Sequence, residues 1–445
     1  LDGVTEKIII NDLLKIDYLS QIIKIFILIS AIGVVLILIS YSKIVQSTAK
    51  FEFSILILLA VLGMCLLVSS NNLLSMYIAL ELQAMSLYVL LAFRKDHPNN
   101  SESAIKYFVL SSLSSALILY GCSFIYGVTG NLSFSHISQI ISSYAVAPNI
   151  FVIGMILVLI GLFFKLSLIP FHMWTPDVYQ GASIPITAFF AATSKIAAVI
   201  LLIKLLYNVF DSLFIHWQQI LMILSAISML FGSIAAIAQT NIKRMLAYSS
   251  IAHMGYVTMG ITAYSTEAVE SVIIYLFIYL SMTIGMFASL LFINRKELHD
   301  KQVSFLSDIK YFSGLGKKSP YKALIITIFM LSMAGLPPFA GFWGKLFIFK
   351  AVIASELYLL ASIGIIASII SVYYYLRIIK IMYFDEIAID KLHHLSKEVV
   401  LVSVICVLFN LLFFLYTVPL FKVAENAAAN SISSKSNLIK LTNSD

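Results

Sequence analysis

Apolar stretches of about 20 residues, each long enough at 1.5 Å per residue to cross the hydrocarbon core of a bilayer, recur along the whole chain. They fall at roughly 22–41, 54–70, 72–93, 105–128, 150–169, 183–207, 219–238, 245–263, 271–293, 323–351, 357–383 and 399–421. A water-soluble globule has no way to hide so many. Only 11% of the 445 residues are charged and 60% are hydrophobic, whereas an average soluble domain carries about 25% charged residues. An all-α polytopic membrane protein with about twelve transmembrane helices is therefore expected, because a chain in lipid must satisfy its backbone internally.

The formal net charge is +7. In a soluble protein that excess would suggest nucleic acid as a partner; here lipids are the expected surroundings and nucleic acid is not a partner. Lys and Arg collect in the cytoplasmic or matrix-side loops of membrane proteins. With the first span running from outside to inside, Lys43, Lys50, Arg94, Lys95, Lys243 and Arg244 all face inward. So do the cluster Arg295, Lys296, Lys301, Lys310, Lys317 and Lys318, and the pair Lys391 and Lys397. The outside loops near 129–149, 208–218, 264–270 and 352–356 hold no Lys or Arg. Among inside loops only 170–182 lacks a positive charge. Both termini are thus expected outside.

An internal repeat is expected within this array. After an N-terminal segment with one helix (1–53), five helices over 54–207 and five over 219–383 form two units. A C-terminal helix (384–422) and a flexible polar tail (423–445) follow. In each unit the fourth helix is broken, at Pro170 in the first and at Gly335, Pro337 and Pro338 in the second. Five is odd, so the second unit inserts upside down. Inverted repeats with interrupted helices point to an ion pathway near the bilayer midplane. The chain begins with Leu1 and shows no secretory signal, which suggests an unusual or processed start, or a missing upstream piece.

Charged side chains at the centre of a membrane helix cost about 2.5–3.5 kcal/mol on insertion scales, and four stand out. Glu81 lies halfway along its span, Lys165 just before the Pro170 break, Lys195 mid-helix and Lys345 just after the second break. Long side chains near an interface can snorkel to water, and Lys204, Lys350, Arg377 and Lys380 are read as anchors of that kind. Lys195 is roughly 18 Å from either end of its helix, too far to snorkel, and the Glu81 side chain is too short. Lys106, one turn into its span, is intermediate.

A row of buried lysines with one carboxylate suits proton relay. Burial disfavours an ammonium and a nearby carboxylate favours it, so moving the partner loads or unloads a proton. Helix breaks free backbone groups that water must satisfy, and that water can carry protons. His172 and His253 are possible further relay groups, since imidazole titrates near neutrality, although a single histidine is more often structural. His393 and His394, beside Asp390 and Lys391, read as loop.

Cys65, Cys122 and Cys406 are isolated, with no metal-ligand spacing. There is no dinucleotide fingerprint, and the Gly314 to Ser319 run is not a phosphate loop. No metal site or bound cofactor is expected on this chain.

Three segments carry a family resemblance. They are Lys165 to Gly181 (KLSLIPFHMWTPDVYQG), Gln239 to Tyr256 (QTNIKRMLAYSSIAHMGY) and Ala334 to Lys345 (AGLPPFAGFWGK). They resemble signature segments of the antiporter-like membrane subunits of respiratory NADH:quinone oxidoreductase, complex I, and the likeness runs from about residue 12 to 420. Tyr373 to Arg377 (YYYLR), a lysine at 345 and the lack of a long lateral C-terminal helix are similar to the N-type, subunit 2 class.

The resemblance implies roles. Glu81 matches the family's membrane glutamate, paired with the lysine that Lys165 matches. Lys195 matches the central-axis lysine and Lys345 the lysine of the second broken helix, toward proton exit. Lys106 matches a lysine tied to inter-subunit coupling, and His172 and His253 match motif histidines. FMN and iron–sulfur clusters would belong to partner subunits, with ubiquinone the substrate of the complex. A neighbouring antiporter-like subunit and small membrane subunits near the quinone site would be partners. Bacterial relatives have about fourteen helices; the first two have no counterpart here, and whether another chain supplies them stays open.

The expected function is proton translocation coupled to electron transfer from NADH to ubiquinone. The alternative is a subunit of a multi-subunit Na+/H+ antiporter without redox partners. A third, a scaffold that has lost pumping, would have no reason to keep the buried charges. Richness in Ile, Lys, Asn and Ser suggests an AT-rich genome, and a mitochondrial inner membrane is favoured over a bacterial cytoplasmic membrane.

Overall fold

The computed structural model describes residues 6–44, 51–93, 98–292, 294–296, 303–305, 307–387, 396–415 and 417–432. Leu1, Lys50, Arg94, Lys95, Lys301, Asp390, Lys391, His393 and His394 lie outside them, as does the tail from 433. A short hairpin, β1 (Lys7–Ile9) with antiparallel β2 (Leu14–Ile16), precedes the helices. Then come α1 (Tyr18–Ile44), α2 (Phe51–Ser69), α3 (Leu73–Ala92), α4 (Pro98–Thr129), α5 (Phe134–Ser142) and α6 (Asn149–Leu166). The middle of the chain forms α7 (Trp174–Gly181), α8 (Ile184–Ala191), α9 (Thr193–Lys204), α10 (Phe214–Ile237), α11 (Ile242–Thr262) and α12 (Thr266–Leu290). A second hairpin, β3 (Asn294–Lys296) with β4 (Val303–Phe305), leads to α13 (Leu315–Lys318), α14 (Pro320–Ala334), α15 (Ala340–Ala354), α16 (Tyr358–Phe384), α17 (Lys397–Leu412) and α18 (Val418–Ile432).

Among the described residues, 10 helical segments are long and apolar enough to cross a membrane, with α8 and α9 together making one of them. The other two expected crossings are α11 and the split pair α14 and α15. Helix α11 is the instructive one. It carries Lys243, Arg244, two adjacent serines and His253, yet every residue except Arg244 and Tyr248 is buried. A helix walled in by protein can be polar where one facing lipid cannot. With α8, α9 and α12, whose residues are almost all buried, it forms a polar axis. The apolar helices α2, α3, α4, α10, α16 and α17 surround this axis and turn large Ile, Leu, Val and Phe side chains outward.

Both breaks have one local cause. Helix α6 ends on Ser167 in the left-handed conformation (φ 63°), and α14 ends on Gly335 (φ 82°). In each, the next amide reaches back across the last turn, Leu168 to the Phe163 carbonyl and Leu336 to the Leu331 carbonyl. That is the Schellman arrangement, which satisfies carbonyls a helix end would leave unpaired. A proline follows three residues after each of these caps, at Pro170 and Pro338, and neither turn can continue as helix.

Two expectations are corrected. The span expected at 183–207 is interrupted at Ala192 (φ −102°, ψ −67°) and passes into a π-helical turn, Leu205–Val209. No Gly or Pro marks the Ala192 kink, so nothing in the sequence signals it. The tail expected from 423 is helical to Ile432: α18 buries Ala424, Ala427 and Ala428. Alanine is the strongest helix former and lets backbones approach closely, so a polar-looking segment docks.

Candidate functional site

Lys195 sits in the first turn of α9, just past the Ala192 kink, and is fully buried. Its Nζ donates to Ser250 Oγ of α11 at 2.6 Å, and Ser250 Oγ lies 2.7 Å from Tyr279 OH of α12. The Tyr179 ring faces the ammonium at 5.9 Å. No carboxylate pairs with Lys195 among the described residues; its ammonium meets the Ser250 hydroxyl and the Tyr179 ring face.

Lys345 lies in α15, past the second break. Its Nζ donates to the Ala334 carbonyl at 3.0 Å and to Ser368 Oγ at 3.0 Å, with the Tyr256 ring at 5.0 Å. Ala334 is the last residue of α14. A helix C-terminus carries partial negative charge, so the break itself provides the counter-charge.

Between these lysines, α11 supplies Ser249, Ser250, His253 and Tyr256, at spacings that return to one helix face. His253 Nδ1 meets Tyr275 OH at 2.6 Å and Nε2 meets Tyr375 OH at 3.3 Å. Tyr375 OH in turn meets Ser249 Oγ. Along α11 the imidazole lies between Ser250, which Lys195 contacts, and Tyr256, which Lys345 faces, and it is held by phenols from α12 and α16.

Lys165, in the last turn of α6, is buried and donates to Ser111 Oγ of α4 at 2.8 Å. Tyr107 and Phe164 present ring faces at 5.9 and 6.0 Å. No direct ion pair joins Lys165 to Glu81 on α3 among the described residues. Glu81 Oε1 is buried with no hydrogen-bond partner.

Two expected relay residues lie elsewhere. Lys106 is half-exposed and pairs with Glu102 and Asp177, at 2.7 Å each. Arg244 Nη1 reaches the same Asp177 at 2.6 Å and Gln180 Oε1 at 3.0 Å. Burial would raise the Asp177 carboxyl, but hydrogen bonds from Lys106 and Arg244 hold it below its ordinary value. The inside loop without a cation thus holds an anion that ties α4, α7 and α11. His172, in the first break, is half-buried and packs beside Phe231 and Tyr248 rather than in the lysine row.

One buried charge was misjudged. Lys204, expected to be an interface anchor, is 6% exposed and lies 3.4 Å from Asp17 Oδ2, itself 7% exposed. It also donates to the Val68 carbonyl at 2.6 Å. Asp17 caps α1 reciprocally with Ser20. Burial would raise its carboxyl, yet the Lys204 ammonium and the Ser20 hydrogen bonds hold it below the usual range. The signal available in the sequence was an acidic residue placed just before the first span. No group of three or more His, Cys, Asp or Glu side chains is placed to share a metal ion among the described residues.

Residues 70–371 match the family model described as NADH:quinone oxidoreductase/Mrp antiporter, TM. Over 418 residues the chain is 43% identical to NADH-quinone oxidoreductase subunit N of Parvibaculum lavamentivorans, covering 94% of this chain and 84% of that protein. It is 44% identical over 412 residues to NADH-quinone oxidoreductase subunit N 1 of Rhizobium meliloti, covering 93% and 84%. Among solved structures, a chain of respiratory complex I from Thermus thermophilus superposes with a TM-score of 0.73 at 32% identity, covering 89% of this chain and 85% of that one. A chain of the Mrp complex from Dietzia reaches 0.82 at 18% identity, covering 95% and 85%, which shows a shared fold alone. These relatives are bacterial, so the preference for a mitochondrion finds no support in them.

Proposed function

Since the chain belongs to the NADH:quinone oxidoreductase/Mrp antiporter membrane family and to its N-subunit branch, we propose that Glu81, Lys165, Lys195, His253 and Lys345 form its proton relay. The chain is a proton-translocating, antiporter-like membrane subunit of respiratory complex I. FMN and the iron–sulfur clusters would reside on partner subunits, quinone would be reduced away from this chain, and the membrane would be an energy-transducing one.

One observation supports the relay: a single α11 face carries Ser250, which the buried Lys195 ammonium contacts, then His253, then Tyr256, whose ring the buried Lys345 ammonium faces. Ammonium, hydroxyl, phenol and imidazole groups each donate or accept, and the hydrogen-bonded stretches leave gaps that water would span. A proton arriving at Lys195 repels one on His253 or Lys345, so the sites unload in turn. Lys165 and Glu81 would form the entry pair: a carboxylate moving toward the lysine favours the ammonium, and moving away releases its proton. Lys106 and Asp177 would transmit movement of α4 and α7 rather than carry protons.

The test is Lys195→Met in the whole complex, reconstituted in vesicles. Proton transport per NADH oxidised is expected to fall sharply while the complex still assembles. Wild-type transport per NADH would refute the relay assignment.

A further inference from the structure

Helix α17 is mostly turned toward lipid, yet Asn410 on it is fully buried. Counting from Val399, it lies about 17 Å into the membrane at 1.5 Å per residue, close to half of a core of about 30 Å. Its amide is fully used. Asn410 Oδ1 accepts from Ser332 Oγ of α14 at 2.7 Å, and Nδ2 donates to Ser281 Oγ of α12 at 2.7 Å and to the Cys406 carbonyl at 2.8 Å. Ser332 Oγ also accepts the Gly341 amide of α15 at 3.1 Å. One hydrogen-bond chain therefore runs from the start of α15, through the last turn of α14, to α17 and α12.

This chain spans the second break. Ser332 lies two residues before Ala334, the carbonyl that holds Lys345, and Gly341 lies four residues before Lys345 itself. We propose that Asn410 is a positioning residue for proton transfer: through Ser332 and Gly341 it fixes the two halves of the broken helix so that the Lys345 ammonium stays seated on the Ala334 carbonyl. This rests on Lys345 being a relay group. A polar amide at this depth is costly unless every group is paired, and here the pairing is directed at the break whose end carbonyl holds Lys345.

The experiment uses the whole complex in vesicles, with Asn410→Leu, Asn410→Asp, Lys345→Met and the double variant Asn410→Leu/Lys345→Met. Asn410→Leu is expected to leave NADH oxidation by a soluble artificial acceptor unchanged. It should lower quinone-linked proton transport on the order of tenfold, the scale of a small misplacement of a reacting group, and displace its pH profile. In the Lys345→Met background the same change should cost nothing more. Asn410→Asp should transport protons better on acidification, because only the neutral acid can both donate to Ser281 and accept from Ser332.

Wild-type transport and pH profile in Asn410→Leu, or an equal loss added on top of Lys345→Met, would overturn the positioning role. If Asn410→Leu fails to assemble, Asn410→Asp decides: recovery at low pH supports the role and a flat profile overturns it. Wild-type transport in Lys345→Met would overturn the relay role of Lys345, and the Asn410 role with it. Loss in Lys345→Met with none in Asn410→Leu overturns only the latter.

Discussion

A buried cation is only as useful as its nearest neighbour. Lys195 has the Ser250 hydroxyl at 2.6 Å and no carboxylate partner among the described residues. Ser250→Ala should therefore lower proton transport several-fold without preventing assembly, with Ser250→Thr restoring it; vesicle acidification per NADH measures both. Lys204 differs because Asp17 pairs with it in a buried setting. Breaking a buried pair from one side costs about 3–5 kcal/mol, since a lone charge stays behind. Asp17→Asn should lower the thermal stability of the assembled membrane arm, and adding Lys204→Met should recover much of the loss. The pH dependence follows from the Asp17 carboxyl being held below its ordinary value. Its contribution is complete above the ordinary carboxylate value of about 3.9 and fades as pH falls through the lower folded value. The gap between wild type and Asp17→Asn should stay constant near neutrality and close only in strong acid. Lys195 and Lys345 were legible as deeply placed charges from their position in the spans, and both are buried. Lys204 was not: its partner lies near the start of the chain, and spacing along one helix carries no trace of a contact made by another.

Helices here are defined by how they end as much as by how they run. Both breaks were visible as Pro and Gly within long apolar stretches, because those residues act on the backbone directly. The Ala192 kink was invisible, and its position suggests tertiary bracing: Ser30 Oγ of α1 donates to Thr193 Oγ1 at 2.9 Å. Helix α18 was missed for the opposite reason, since its stability comes from docking a small-residue face that hydropathy does not register. Gly341 shows how tightly the second break is closed. A Cβ there would lie 1.8 Å from the Ser332 carbonyl oxygen, and backbone cannot retreat as a flexible side chain can. Gly341→Ala should force α14 and α15 apart at a cost of several kcal/mol, at the severe end for point mutants. Gel electrophoresis of solubilised membranes should show little assembled complex, whereas alanine at Gly127, which has open space around it, should be tolerated.

The described residues form an apolar envelope around a polar axis, and α11 packs against the helices that follow both breaks, α7 and α15. Lys195 binds α11 at Ser250, Lys345 faces it at Tyr256, and along the helix His253 lies between those two residues. The lysines have their own anchors, Ser250 on one side and the Ala334 carbonyl on the other, so His253 can be changed without removing either. His253→Leu should leave the two lysines seated and the complex assembled while interrupting transfer between them. His253→Gln keeps hydrogen-bonding capacity for Tyr275 and Tyr375 but cannot titrate. If the imidazole itself carries the proton, both variants should lose most transport per NADH. If it only orders the phenols and water around it, the glutamine variant should retain much of it. Proton uptake and release by vesicles holding each variant, measured beside NADH oxidation, separates the two outcomes. Near-normal coupling in the leucine variant would mean that the lysines communicate by a route that bypasses the centre of α11.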